Sequence, residues 1–333
     1  MTDRVLTVME ALDWVADTFE QRGASAATAR SIAAALVGAE VDGLKGHGLT
    51  RIPSYLAMLK TGKANGTVVP VAKRTAPGVL VIDAGDGFAY PAVDLALAEL
   101  PAIARAQGIA TAAIHRSNHC GAAGLHVEKL ARQGLVALFF ANAPASIAPW
   151  GGRQAVFGTN PIAFAAPLDE GRDPVVVDLS VSKVARGNLL AARNKGQPIP
   201  EGWALDPDGN PTTDTEKGLA GTMVPMGEAK GAALALMVEV LSACLTGANL
   251  ATQSTSFFDG AGDPPGTGQL ILAIDPAAFG HARFGALLTL LVGQIEGQEG
   301  TRLPGARRYQ LRARAAEAGV TVPADLEAQI AKA

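Results

Sequence analysis

Residues 108–142 read GIATAAIHRSNHCGAAGLHVEKLARQGLVALFFAN. GIATAAIHRS predicts a strand ending at His115. GAAGLHVEKLARQG predicts a helix closed by Gly134, and LVALFFAN predicts a second strand. Strand and helix in alternation give α/β texture. A Rossmann fold would carry G-x-G-x-x-G between a strand and its helix. That fingerprint occurs nowhere in the chain, and GAAG at 121–124 lacks its spacing. Any dinucleotide site is therefore built another way.

Working outward, residues 1–60 predict helices. MTDRVLTVMEALDWVADTFEQRG places Val5, Met9, Leu12 and Val15 at helical spacing, and ASAATARSIAAALVGAEVDG and RIPSYLAMLKTG follow. Acidic residues interrupt the first stretch early, which argues against a signal peptide. Gly62, Gly66 and Pro70 mark an exit to loop. VLVIDA from 79 predicts a strand, and 91–107 a helix with Pro91 in its first turn. Residues 144–167, PASIAPWGGRQAVFGTNPIAFAAP, are turn-rich yet apolar, which predicts an ordered, buried loop system suited to a binding site. PVVVDLSVS and GQLILAIDP predict strands, and GWALDPDGNPTTD turns. GAALALMVEVLSACL and FGALLTLLVGQIEGQ predict helices, and the tail from Tyr309 a helix with a proline break.

With 333 residues, 48% hydrophobic and 18% charged, the chain can bury a large core. A net charge of -3 supplies no basic field for nucleic acid or anionic membrane. The longest apolar run carries Glu239 and falls short of the ~20 residues a bilayer requires. Two cysteines, Cys120 and Cys244, make no disulfide framework and fit a reducing cytoplasm.

His115, His119, His126 and Cys120 invite a metal reading, but no carboxylate or second cysteine completes a set, and none is expected. HRSNHCGAAG reads either as an anion-binding strand–loop–helix turn or as an ordinary connection. His47, between Gly46 and Gly48, is either structural or a proton donor. Arg51 is either a bidentate carboxylate clamp beside it or a surface ion-pair partner. Asp178 closes an apolar strand, as an acid that orients an imidazole or as a helix cap. Lys230, near Glu228 at a helix start, either meets an anion or is solvated.

Seven stretches in order carry a more specific signal: DGLKGHGLTRIPSYL, HRSNHCGAAG, PWGGRQAVFGTNPIAFAAP, VVDLSVSKVARG, GWALDPDGNPTTD, AKGAALALMVEVLSACLTGA and RLPGARR. Together they resemble the malate/L-lactate dehydrogenase family of the second, non-Rossmann type. Its relatives include sulfolactate and ureidoglycolate dehydrogenases, diketogulonate reductases and Δ1-piperideine/Δ1-pyrroline-2-carboxylate reductases. The resemblance implies a non-Rossmann NAD(P)-binding α/β fold with a mostly antiparallel mixed sheet. A helical part would span 1–75 with 305–333 and hold the His47 loop and the dimer contacts. An NAD(P)-binding catalytic core would span 76–304.

The resemblance further implies a homodimeric NAD- or NADP-dependent enzyme. It would interconvert a 2-oxo acid and a 2-hydroxy acid, or reduce a cyclic imine next to a carboxylate. His47 matches the proton donor, Arg51 the residue facing the substrate carboxylate, Asp178 the partner that orients His47, and Thr159 a substrate contact. Cofactor contacts fall on His119, Cys120, Gly121, Ala122 and Ala123, on Leu179, Ser180 and Ser182, on Lys230 and Gly231, and on Pro304 and Gly305. Gly46 stands where the family has serine, and Ala306 follows Pro304-Gly305 where glutamate is more usual. The glycines flanking His47 are expected to let substrate and nicotinamide approach. The rivals are a nucleotide-binding protein that has lost its chemistry and a metal-dependent hydrolase.

Overall fold

The computed structural model describes residues 2–168, 171–280 and 282–333. In chain order the elements are β1 (Arg4–Leu6), α1 (Val8–Glu20), α2 (Ala26–Val41), two short 3-10 turns (Lys45–His47 and Leu49–Arg51), α3 (Ile52–Thr61), β2 (Val71–Ala76) and β3 (Val79–Asp83). They continue as α4 (Ala89–Gln107), β4 (Ile109–Ser117), α5 (Ala123–Ala131), β5 (Val136–Ala141), β6 (Ile162–Ala166), β7 (Val175–Leu179) and α6 (Arg186–Asn194). Then come β8 (Ala204–Leu205), β9 (Pro211–Thr212), α7 (Thr215–Ala220), β10 (Thr222–Met223), α8 (Ala229–Glu239) and a π-helical turn (Val240–Cys244). The chain closes with β11 (Thr267–Ile274), α9 (Phe284–Glu296), α10 (Ala306–Ala318), β12 (Val320–Val322) and α11 (Ala324–Lys332).

Seven strands form one sheet in the order β2-β3-β4-β11-β5-β6-β7. Only β3 and β4 run parallel; every other neighbour is antiparallel. This is the mostly antiparallel sheet that the resemblance implies. α4 and α5 cover one face, burying Ile82, Ile114, Val127, Phe139 and Ile271 in the main core. A Phe139→Ala truncation there would cost about 3–5 kcal/mol. Val238 on α8 packs with Ala113, Phe140 and Leu270 in a separate cluster. The N- and C-terminal helices share a further core, with Phe19, Leu36, Ile52, Tyr55 and Ile330.

The structure corrects several element assignments. Residues 71–76 are a strand, not a loop exit. They pair with β3, so they go with the sheet and not with the helices before them. All six are exposed, and Lys73 and Arg74 blunt the sheet edge, so no alternation signals them. IAFAA at 162–166 is β6, inside the expected loop system; Pro161 and Pro167 bracket a run too short to read. Val5 lies in β1 against Thr321 and not on the first helix's stripe. The tail holds β12 between two helices. β4 continues past His115 to Ser117, and GWALDPDGNPTTD contributes two strands of a small three-stranded sheet.

Candidate active site

His47 ends one 3-10 turn and Arg51 ends the next, before Ile52 starts α3 with Pro53 in its first turn. The loop is fixed from α2. Glu40 Oε2 accepts the Leu49 N–H at 3.0 Å. A Cβ on Gly48 would lie 2.2 Å from that same oxygen, so Gly48 is a glycine because Glu40 closes on it. A Cβ on Gly46 would meet nothing within 4 Å. A packing reason at 48 thus stands beside the expectation that the flanking glycines let ligands approach, and at 46 the room for such an approach is open.

Arg51 is buried. Its Nε donates to the Gly46 carbonyl at 2.7 Å, and its guanidinium lies 4.5 Å from the Phe258 ring centroid. No carboxylate pairs with it among the described residues, and its buried Nη1 has no hydrogen-bond partner. The His47 ring stacks on His119 with centroids 5.3 Å apart, and His47 Nδ1 is also buried without a partner. The Tyr55 hydroxyl, one helical turn after Arg51, bridges His119 Nδ1 at 2.5 Å and the Tyr90 hydroxyl at 2.8 Å. Burial first, and Arg51 second, push His47 down to about 4 and hold His119 well below the usual imidazole range. Burial pushes Tyr55 up to about 12. The pocket at rest therefore holds neutral rings around one unpaired cation. A buried cation with a free donor calls for an anion.

A second group gathers at the end of β7. The Asp178 Oδ2 accepts the Gly124 N–H at 2.8 Å in the first turn of α5. A Cβ on Gly124 would lie 2.8 Å from Arg308 Nη1 and 2.9 Å from Asp178 Cβ, so only glycine admits both groups. Arg308 is buried, and its Nη1 makes no hydrogen bond. The Val181 N–H donates to the Thr159 carbonyl at 2.9 Å, and the Met226 N–H to the Val181 carbonyl at 2.8 Å. The Ser180 and Ser182 hydroxyls pair at 2.9 Å, beside Leu179. Gly231 abuts the Met226 backbone, and Lys230 is exposed. Gly305, after Pro304, abuts Val176 of β7. His119, Cys120, Gly121, Ala122 and Ala123 run between the two groups, from the stacked histidines to α5.

Among the described residues no hydrogen bond joins Asp178 to His47. The expected orienting pair is therefore corrected: β7 pairs Asp178 with Ala163 in register, and its carboxylate faces α5 and Arg308. His126 Nε2 pairs with the Cys120 carbonyl at 2.8 Å, and its ring packs on Phe139 with centroids 5.4 Å apart.

Several site residues carried no sequence signal. Tyr90, Phe257 and Phe258 arrive from distant segments, Phe257 lying 5.1 Å from the His119 ring. Arg312 clamps Asp42, five residues before His47, to Glu128 of α5. Tyr55 was findable, four residues after Arg51 on one helix face.

The glycine cradle, the buried Arg308 Nη1, which makes no hydrogen bond and only loose ion pairing to Glu128 at 3.9 Å, and the backbone pairing of 181–183 with 224–226 fit an anionic nucleotide along β7 and α5. The family model for malate/L-lactate dehydrogenase matches residues 6–331. A (2R)-3-sulfolactate dehydrogenase (NADP(+)) of Chromohalobacter salexigens is 48% identical over 312 residues, 93% of this chain and 92% of that protein. A Δ1-pyrroline-2-carboxylate/Δ1-piperideine-2-carboxylate reductase of Pseudomonas putida is 42% identical over 91% of this chain and 89% of that protein. The crystal structure of Δ1-piperideine-2-carboxylate reductase from Pseudomonas syringae superposes with a TM-score of 0.93 at 39% identity, covering 99% of this chain and 100% of that one. The chain belongs to the malate/L-lactate dehydrogenase family.

Proposed function

We propose that this chain is an NADP(H)- or NAD(H)-dependent oxidoreductase that interconverts a small 2-oxo acid, such as 3-sulfopyruvate, and its 2-hydroxy acid. The observation that carries the reading is the buried, unpaired Arg51, with its free Nη1, beside His47. When bound, the reduced nicotinamide supplies the hydride; the residues that would hold the nucleotide are His119–Ala123, Leu179–Ser182, Lys230–Gly231, Pro304–Gly305 and Arg308.

Arg51 takes the carboxylate, which orients the adjacent carbonyl carbon. His47 holds the proton at the oxygen where charge develops. Neutral at rest, it is ready to accept a proton in the oxidative direction. In the reductive direction, a carboxylate on Arg51 offsets the guanidinium charge that depresses His47 and so raises its proton affinity. Asp178 acts on α5, holding its first turn through Gly124, and Thr159 on the adjoining loop faces substrate under this reading.

One observation favours cyclic imine reduction as a second reading. Phe258 lays an apolar ring on Arg51, a wall suited to a ring fused to the carboxylate-bearing carbon. Gly46, without the serine hydroxyl, leaves the same side less polar.

We further propose a homodimer. Leu236, Met237 and Val240 on α8 and the π turn, Leu245 just after it, and Leu287, Leu290 and Leu291 on α9 are exposed apolar residues. Only Val292 of the thirteen α9 residues is buried. These faces support contacts in the sheet-bearing part of the chain, beyond the terminal helices expected from sequence. The separate apolar cores support the division into a helical part and a catalytic core, with 71–75 joining the latter. We place the protein in the cytoplasm, supported by unpaired Cys120 and Cys244. No helix among the described residues is long and apolar enough to cross a membrane.

The test is absorbance at the reduced-nicotinamide band with NADH or NADPH and a panel of 2-oxo acids and cyclic imines. Oxidation with the oxo acids supports the main reading and oxidation with the imines the second. Silence across the panel with coenzyme bound would sink both and leave a nucleotide-binding protein.

A further inference from the structure

Residues 249–261 carry Phe257 and Phe258 onto His119 and Arg51, and two buried charges hold this segment from opposite ends. At its start, Glu239 Oε1 accepts the Ala251 N–H at 2.6 Å. Glu239 is buried in α8, where the helix gives way to the π turn, a feature frequent at functional sites. Its other contacts are also donors: Asn160 Nδ2 at 2.8 Å to Oε2, and Asn142 Nδ2 at 3.4 Å to Oε1. Asn142 in turn donates to the Asn249 carbonyl at 2.8 Å. At the far end, the fully buried Lys63 ammonium donates to the Ser256 and Ala261 carbonyls at 2.7 Å each and to the Asp259 carbonyl at 3.2 Å. Its one carboxylate partner, Asp259, stands off at 3.5 Å.

A buried carboxylate facing only donors, and a buried ammonium facing mainly carbonyls, are costly to place unless the bonds they make are needed. What both hold is the backbone on either side of Phe257 and Phe258. We propose that Glu239 and Lys63 are positioning residues: they hold 249–261 so that Phe258 seats the Arg51 guanidinium and Phe257 the His119 ring, and so set substrate affinity. Glu239 also reaches the substrate loop, because its partner Asn160, at φ +40°, follows Thr159 directly. A carboxylate is required at 239 because an amide would turn an NH₂ group toward one of these donors. The proposal rests on the reading of the Arg51–His119 pocket as the substrate site.

The test compares full-length Glu239→Gln, Lys63→Met and Phe258→Leu with the unaltered protein. Hydrogen exchange, which requires no substrate, should show 249–261 losing protection in the first two variants and not in Phe258→Leu. Substrate KM should rise about tenfold or more in all three, with kcat held within about threefold. Coenzyme affinity, read from nicotinamide fluorescence, should stay unchanged in Phe258→Leu, whose ring lies on Arg51 while Phe257 keeps its place on His119. Unchanged KM alongside lost protection would reduce the tethers to a structural role and overturn the proposal; unchanged protection would overturn it as well. If Lys63→Met does not fold, Glu239→Gln and Phe258→Leu decide alone. Silence of the unaltered protein on the whole substrate panel would instead fail the functional reading and the affinity claim built on it, while hydrogen exchange still decides the tethers.

Discussion

Replacing Arg51 by lysine keeps the charge and removes the fork. Arg51 uses Nε on the Gly46 carbonyl at 2.7 Å, lays its plane on Phe258 and leaves Nη1 free for a ligand. An ammonium cannot hold a carboxylate through two parallel bonds. One lost charge-assisted hydrogen bond is worth about 1.5–3 kcal/mol. At 1.4 kcal/mol per tenfold, KM for the carboxylate substrate should rise roughly 10- to 100-fold. The Gly46 carbonyl loses its donor too, which loosens the His47 loop by about 1 kcal/mol. kcat should fall less, because the clamp is made in ground state and transition state alike. The assay is steady-state nicotinamide absorbance, with a thermal melt to show that the variant is folded. A KM within about threefold of the unaltered protein, with an unchanged Tm, would remove Arg51 from the substrate site.

Other expectations follow from the same geometry. Gly48→Ala drives a methyl to 2.2 Å from Glu40 Oε2 and should lower kcat/KM at least about tenfold, whereas Gly46→Ser enters open space and should change stability by no more than about 0.5 kcal/mol; kinetics and melts on both variants check this. Burial holds His47 and His126 down at about 4, so the unfolded chain binds more protons below pH 6.5. Stability should therefore be flat above pH about 6.5 and fall as pH drops toward about 4. Urea melts across that range read the slope, and constant stability down to pH about 4 would contradict buried neutral imidazoles. Asp178→Asn should weaken coenzyme binding while the His47 NMR titration stays where it was; a shifted His47 titration would restore the orienting pair.

The ordered motifs made the family's fold legible, although periodicity alone reached only α/β. Strand direction depends on partners distant in sequence, such as β11 inserted between β4 and β5, and no local pattern encodes that. Strands with a buried face were readable from apolar runs such as LVALFF. The edge strand VAKRTA was not, since nothing in it is buried. At the site, His47 and Arg51 stood out because they share a short, glycine-framed loop. Glu239 announced itself as a lone acid in an apolar helix, but its role needed Ala251 and Asn160 in space. Lys63 carries no signal in the sequence, because the carbonyls it donates to come from nearly two hundred residues away. Asp178 was misassigned because a strand-end acid looks the same from sequence whether it faces an imidazole or a helix N-terminus.

The most direct test of the account is a single-turnover measurement on His47→Ala, with saturating coenzyme and the substrate the panel identifies. The account predicts nicotinamide oxidation slowed by about 10²-fold or more, with coenzyme affinity intact. Oxidation within about threefold of the unaltered protein would contradict it and move the proton donor elsewhere in the pocket.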